Sequence, residues 1–157
     1  MDVGRLRAAE YQLTHRHEDG TWITPEMQRA YIRLHQLGHA HSMESWRNGR
    51  LVGGIYGVRV GRVFCGESMF HHETDASKVA LLGLVGILDD GLERIVDTQW
   101  VTPHLASLGV GEVSRADYLQ RLLPPVLATP EPVFEPGTLA ARSLVRRRTT
   151  TGDAAAE

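Results

Sequence analysis

The sequence predicts an α+β domain in which helices flank a mixed, mainly antiparallel sheet. Three observations predict it. Apolar residues recur every three or four positions from Met27 to Leu37, the period drops to two from His41 onward through closely spaced turn signals, and residues 79–88 then form an almost unbroken apolar stretch of helical length before one further strand. Hairpin-linked strands are antiparallel, whereas a strand–helix–strand unit brings its two strands parallel, so the sheet is mixed.

Each element has a local cause. Residues 3–11 show a loose helical spacing, with Val3, Leu6 and Tyr11 on it, and are followed by the polar residues 15–20. Thr24 then supplies a capping hydroxyl and Pro25 a residue with no amide to satisfy, and together they start a helix that Gly38 ends in the left-handed region. Asn48-Gly49 is the strongest short hairpin signal and joins strands over 42–47 and 50–60. A second turn at Gly61 leads into a strand over 62–66. The apolar helix runs from Ser77 to Leu88 and is closed by Asp89, Asp90 and Gly91; a strand follows over 94–100. Thr102-Pro103 opens a short helix ending at Gly109, and Ser114 with Asp117 forms a capping box for a helix through Leu123. Pro124 and Pro125 end it. Residues 1–123 are therefore expected as a single domain and the Pro-, Thr- and Ala-rich residues 124–157 as a mobile tail.

Composition narrows the class of function. The chain has 157 residues, one domain's worth, with 17 Lys+Arg against 19 Asp+Glu and a net charge of -2, a balance that excludes broad nucleic-acid binding. Charge is nevertheless uneven. Arg142, Arg146, Arg147 and Arg148 cluster near one end and Arg59 and Arg62 flank a hairpin, so a local contact with RNA phosphates stays open. Cys65 is the single cysteine, and no apolar run reaches the roughly 18 residues of a membrane span. A cytoplasmic protein is expected, with no cofactor.

Three blocks carry a resemblance: 20–24 (Gly-Thr-Trp-Ile-Thr), 34–42 with Gly38-His39-Ala40-His41-Ser42, and 51–57 (Leu-Val-Gly-Gly-Ile-Tyr-Gly) running into 64–70 (Phe-Cys-Gly-Glu-Ser-Met-Phe). With Ala76-Ser77-Lys78, Asp97-Thr98-Gln99 and the stretch from His104 to Gly109, they resemble the leucyl/phenylalanyl-tRNA–protein transferase family over about residues 20–119. The resemblance implies a fold like the Gcn5-related N-acetyltransferases. It also implies an aminoacyltransferase that moves Leu or Phe, with Met as an alternative donor, from charged tRNA to an N-terminal Arg or Lys of a protein. That transfer forms a peptide bond and marks the acceptor for degradation. Members of the family carry a further N-terminal domain that the chain is expected to lack, and a separate partner polypeptide is one way to supply it. Two other functions compete: amide formation on a small amine with the same tRNA donor, and a non-catalytic domain that keeps the fold.

Residues can be assigned on this basis. Asp97 and Gln99, two apart on the expected strand, share one face, and the resemblance gives them the catalytic roles. A carboxylate orients an attacking amine and takes its proton, while an amide beside it offers both a donor and an acceptor. Glu67, expected just past a strand, is the candidate for binding the cationic acceptor by charge-assisted hydrogen bonds. Ile55 with Leu81, Leu84 and Leu88 would form the donor side-chain pocket, although such a stripe by itself reads as core packing. Trp22 would stack on the terminal adenosine of the tRNA. No metal is expected: His39-x-His41 and His71-His72 lack the spacing that puts two ligands on one helical face. Gly53, Gly54 and Gly57 lie within a strand pattern and suggest a bulge or close backbone approach. The glycine-free residues 71–77 offer no pyrophosphate cradle for acetyl-coenzyme A.

Overall fold

The computed structural model describes residues 24–130. The expected first helix, Trp22, the arginines from Arg142 onward and most of the expected tail lie outside them. Helix α1 (Pro25–Gln36) starts as its sequence dictates, the Thr24 hydroxyl accepting from the Met27 amide at 3.3 Å. Gly38 takes φ 82° after it. Met27, Tyr31 and Leu34 pack on a cluster of Ala40, Tyr56 and Phe70. Leu37, expected on the same face, caps the helix instead and is 53% exposed.

Strands β1 (Ala40–Arg47), β2 (Arg50–Val60) and β3 (Val63–His71) form an antiparallel meander, and β4 (Ile95–Asp97) pairs parallel to β3 in the order β1-β2-β3-β4. The mixed, mainly antiparallel sheet is thus as expected. Asn48 at φ 50° and Gly49 at φ 75° make the hairpin turn whose twist matches its strands. Two boundaries differ. β3 continues five residues past Gly66 because a bulge absorbs the irregularity there, and β4 stops at Asp97 because Gln99 turns left-handed, at φ 64°.

Helix α2 (Ala76–Leu88) makes the crossover between β3 and β4 and covers the face of the sheet opposite α1. Alternation along β2 sends Tyr56 toward α1 and Ile55 toward α2. Two contacts pull the start of α2 onto the sheet. Ser45 Oγ donates to the Ala76 carbonyl at 2.7 Å, and Gly53 leaves room for the helix, since a Cβ there would lie 2.7 Å from that of Ala76. Gly53 therefore does mark close backbone approach.

After α3 (Pro103–Ala106), capped by Thr102, and α4 (Arg115–Asp117), capped by Ser114, the chain makes a π-helical turn over Tyr118–Leu122 and continues as α5 (Leu123–Ala128). The prolines do not end the helix, as expected from sequence, but widen it. In a regular α-helix, Pro124 and Pro125 would press on the carbonyls four residues back, at Gln120 and Arg121. Adding a residue to the preceding turn relieves that clash, and the Leu123 amide bonds the Tyr118 carbonyl five residues back. Val126 is then 1% exposed. Arg62, 2% exposed, donates to the carbonyls of Glu93 (2.8 Å) and Pro130 (3.2 Å) and to Asp90 Oδ1, tying the β2–β3 turn, the segment between α2 and β4 and residue 130 together.

Candidate active site

The site is built where the β2–β3 ladder breaks. Tyr56 pairs with Ser68 but Gly57 with Gly66, so Glu67 is the extra residue of a β-bulge. Gly57 permits the close approach this requires, because a Cβ at that position would lie 2.1 Å from the Cys65 carbonyl oxygen and 2.6 Å from the Phe64 ring. Glu67, expected beyond a strand, is therefore inside one and held by its distortion. Burial first and the nearby Glu67 carboxylate second push the hydroxyl of Tyr31, in α1, up to about 12. Tyr31 meets Tyr56 edge to face at 5.4 Å. The Tyr56 hydroxyl is fully buried with no hydrogen-bond partner, and burial raises it well above the ordinary tyrosine range.

Asp97 closes β4, paired with Cys65 of β3. Gln99 does not share a strand face with it, as the spacing suggested. The Gln99 amide donates to Asp97 Oδ1 at 2.8 Å, and Gln99 Nε2 reaches back to the Gly66 carbonyl at 2.9 Å. The two residues thus form a tight turn across the bulge, with a non-glycine residue held at positive φ. That conformation is strained and persists only where surroundings enforce it. Cys65 lies between the two acidic groups: burial, then Asp97, then Glu67 push its thiol up. Burial first and the negative charge of Asp97 second push up the hydroxyl of Tyr118, at the head of the π-helical turn. Sequence reading missed Tyr31 and Tyr56 beside Glu67, since each sits within an ordinary apolar periodicity.

On the α2 face, Ile55, Leu81, Leu84 and Leu88 belong to one packed cluster with Phe64, Ala80 and Leu105, with Met43, Met69 and Val96 against it. Each of the four is nearly fully buried. An open cleft of 270 Å³, lined by Met69, His71, Ser77, Thr102, His104 and Leu105, shares Met69 and Leu105 with this cluster. Sequence reading did not find the cleft, which joins residues more than 30 positions apart. His39, His41 and Ser42, without an assigned role in sequence, sit at the α1–β1 junction, where His41 Nε2 lies 3.0 Å from the Gly38 carbonyl and Ser42 Oγ donates to Glu44. Of the two arginines weighed for RNA phosphates, Arg62 is buried and engaged, and Arg59 bonds the Gly61 and Gly38 carbonyls. Among the described residues, no cluster of three or more His, Cys, Asp or Glu side chains is placed to hold a metal, and no helix is long and apolar enough to cross a membrane.

The domain is of the mixed α+β class, with Glu67, Asp97 and Gln99 gathered at a strand bulge. The chain belongs to the Leucyl/phenylalanyl-tRNA protein transferase family, whose model matches residues 8–123. It is 50% identical over 122 residues to the leucyl/phenylalanyl-tRNA–protein transferase of Azoarcus sp. (strain BH72), covering 78% of this chain and 52% of that protein. The transferase so named from Syntrophobacter fumaroxidans is 57% identical over 105 residues, 67% of this chain and 45% of its own length. That of Cereibacter sphaeroides (strain ATCC 17029) is 59% identical over 102 residues, 65% and 48% respectively. The chain thus spans about half the length of the curated relatives it matches.

Proposed function

We propose that the chain transfers Leu or Phe from a charged tRNA to the N-terminal amino group of a protein beginning with Arg or Lys, and that the product is thereby marked for degradation. The observation that carries this reading is the Asp97–Gln99 turn, a strained arrangement fastened to the bulge that holds Glu67, in a chain of this family. The acceptor nitrogen attacks the ester carbonyl carbon. A C–N bond forms, the bond from that carbon to the ribose oxygen breaks, and the proton lost by the amine ends on that oxygen. Gln99 Nε2 already donates to Gly66, which leaves Oε1 to accept from the amine and aim its lone pair at the carbonyl. Asp97 accepts a second amine hydrogen and passes the proton on.

Glu67 takes the cationic side chain of the acceptor, since an ionised carboxylate has two oxygens with which to accept its hydrogen bonds. The donor side chain enters by the cleft, past Met69 and Leu105, toward Ile55, Leu81, Leu84 and Leu88. Trp22 stacks on the terminal adenosine, and the overall architecture is of the Gcn5-related type.

The test mixes the protein with labelled Leu-tRNA or Phe-tRNA and a peptide beginning with Arg, and follows label into peptide. Transfer is expected, and Asp97→Ala should lower turnover by about 100-fold or more. Label reaching only a small amine would refute the protein acceptor. With charged tRNA intact, no transfer to any acceptor would refute the transferase reading in favour of a non-catalytic domain.

A further inference from the structure

Helix α2 begins without the cap its sequence offers. Asp75 stands at the N-cap position, where an aspartate in extended conformation accepts from the amides of the first turn. It is left-handed instead, at φ 65°, and makes no capping bond; its carboxylate pairs with Lys78 Nζ at 2.6 Å. Glu73, just before it, pairs with Arg47 at 2.8 Å. The Ala76 amide bonds the Glu73 carbonyl and the Val79 amide that of Asp75, whereas the amides of Ser77 and Lys78 have no partner among the described residues. Ser77 is 5% exposed and lines the cleft beside Met69 and Leu105, and its hydroxyl likewise finds no hydrogen-bond partner among the described residues. The exposed His71 and His104 line the same cleft, as does Thr102, whose hydroxyl accepts from the Leu105 amide and keeps its own proton to donate.

We propose that this cleft holds a phosphate group, that of the terminal nucleotide of the charged tRNA, on the Ser77 hydroxyl and the free first-turn amides of α2, with His71 and His104 adding ring N–H donors. The start of a helix carries partial positive charge and unspent N–H groups, which suit an anion. A buried hydroxyl with nothing to bond costs free energy until a ligand brings it an acceptor. Phosphate oxygens are acceptors, and Ser77, Thr102, the two imidazoles and the amides can all donate. Residues 71–77 lack the glycine loop that wraps a pyrophosphate, but one phosphate needs only a helix end and a hydroxyl. Met69 and Leu105 make the rest of the cleft apolar, so it matches a ligand that is apolar at one end and anionic at the other, as an aminoacyl nucleotide is. The choice of nucleotide rests on the proposed transfer reaction; the phosphate site itself does not.

The experiment has two arms. In the first, inorganic phosphate is titrated into isotope-labelled protein at constant ionic strength, with chloride as the control, and backbone amide resonances are followed. Those of Ser77 and Lys78 should shift together and saturate with phosphate alone, and Ser77→Ala should weaken the apparent Kd about tenfold. Amides that respond no more to phosphate than to chloride would overturn the site. Because the Ser77 hydroxyl gives up no bond, the urea midpoint of Ser77→Ala should equal or exceed that of the wild type; a lower midpoint would show the hydroxyl engaged within the protein and overturn its role. In the second arm, calorimetry compares a leucyl-adenosine analogue, its ester replaced by an amide, with the same compound phosphorylated on its primary ribose hydroxyl. The phosphate should tighten binding about tenfold in the wild type and less than about threefold in Ser77→Ala and in the exposed-site variant His104→Ala. No gain in the wild type would overturn the assignment to the tRNA terminus, and an undiminished gain in both variants would overturn the residues assigned. A chain that transfers nothing, yet shows Ser77-dependent phosphate shifts, would refute the reaction and leave the phosphate site standing.

Discussion

Gly57→Ala should be among the most damaging single-methyl additions in the molecule. Its Cβ would lie 2.1 Å from the Cys65 carbonyl oxygen, where ordinary contact begins at 3.4 Å, so strand β3 must retreat by roughly 1.3 Å. The obstacle is backbone, fixed by the Val58–Cys65 pairing on one side and the Cys65–Asp97 pairing on the other, and the Phe64 ring at 2.6 Å blocks the alternative route. This places the cost at the upper end of overpacking, about 3 kcal/mol, or a fall of about 2 M in the urea midpoint. Because Asp97 is paired to the residue displaced, transfer activity should fall with stability. Gly66→Ala is the control, since its Cβ would meet the Asp97 carbonyl oxygen at 3.4 Å and Ile55 Cδ1 at 3.5 Å, ordinary contact on both sides. It should cost less than about 1 kcal/mol. Equal urea midpoints for the two variants would refute the view that the bulge depends on the absence of a side chain at position 57.

Two further outcomes follow from single residues. Gln99 pays for its positive φ, so Gln99→Gly should be about 1 kcal/mol more stable than Gln99→Ala while both lose transfer activity; identical denaturation midpoints would show that the turn is not strained. His41 is held low by burial first, with Arg59, His35 and His39 adding to the effect against its bond to Gly38. A folded value below the unfolded one means that stability is present above the unfolded value, about 6.5, and is lost as pH falls through the folded one. Denaturation of the wild type should therefore come at lower urea at pH 5 than at pH 7, and His41→Gln should flatten the difference; an unchanged slope in the variant would assign it to other groups.

Much of the fold was legible from sequence because its signals are local. The Thr24-Pro25 start, the Asn48-Gly49 turn and the capping pair Ser114 and Asp117 each depend on residues a few positions apart, and all three stand in the structure. The misread places share another cause. The end of β3 depended on a bulge set by Gly57 across the sheet, the end of β4 on Gln99 reaching back 33 residues to Gly66, and the fate of the helix at Pro124 on whether the preceding turn could widen. The same distinction holds at the site. Asp97, Gln99 and Glu67 came from motif resemblance, but the Tyr31–Tyr56 ring pair, like the cleft beside α2, exists only once distant segments meet.

Cys65 gives the seam between β3 and β4 a chemical gauge. As the single thiol of the chain, half-buried between Asp97 and Glu67 and pushed toward its protonated form, it resists alkylation at neutral pH while the seam is shut. Parting of β4 from β3 exposes it and takes the Asp97 charge away from it. The rate at which a maleimide reagent consumes the protein therefore counts openings of the strand pair that carries Asp97, with no label or substitution introduced.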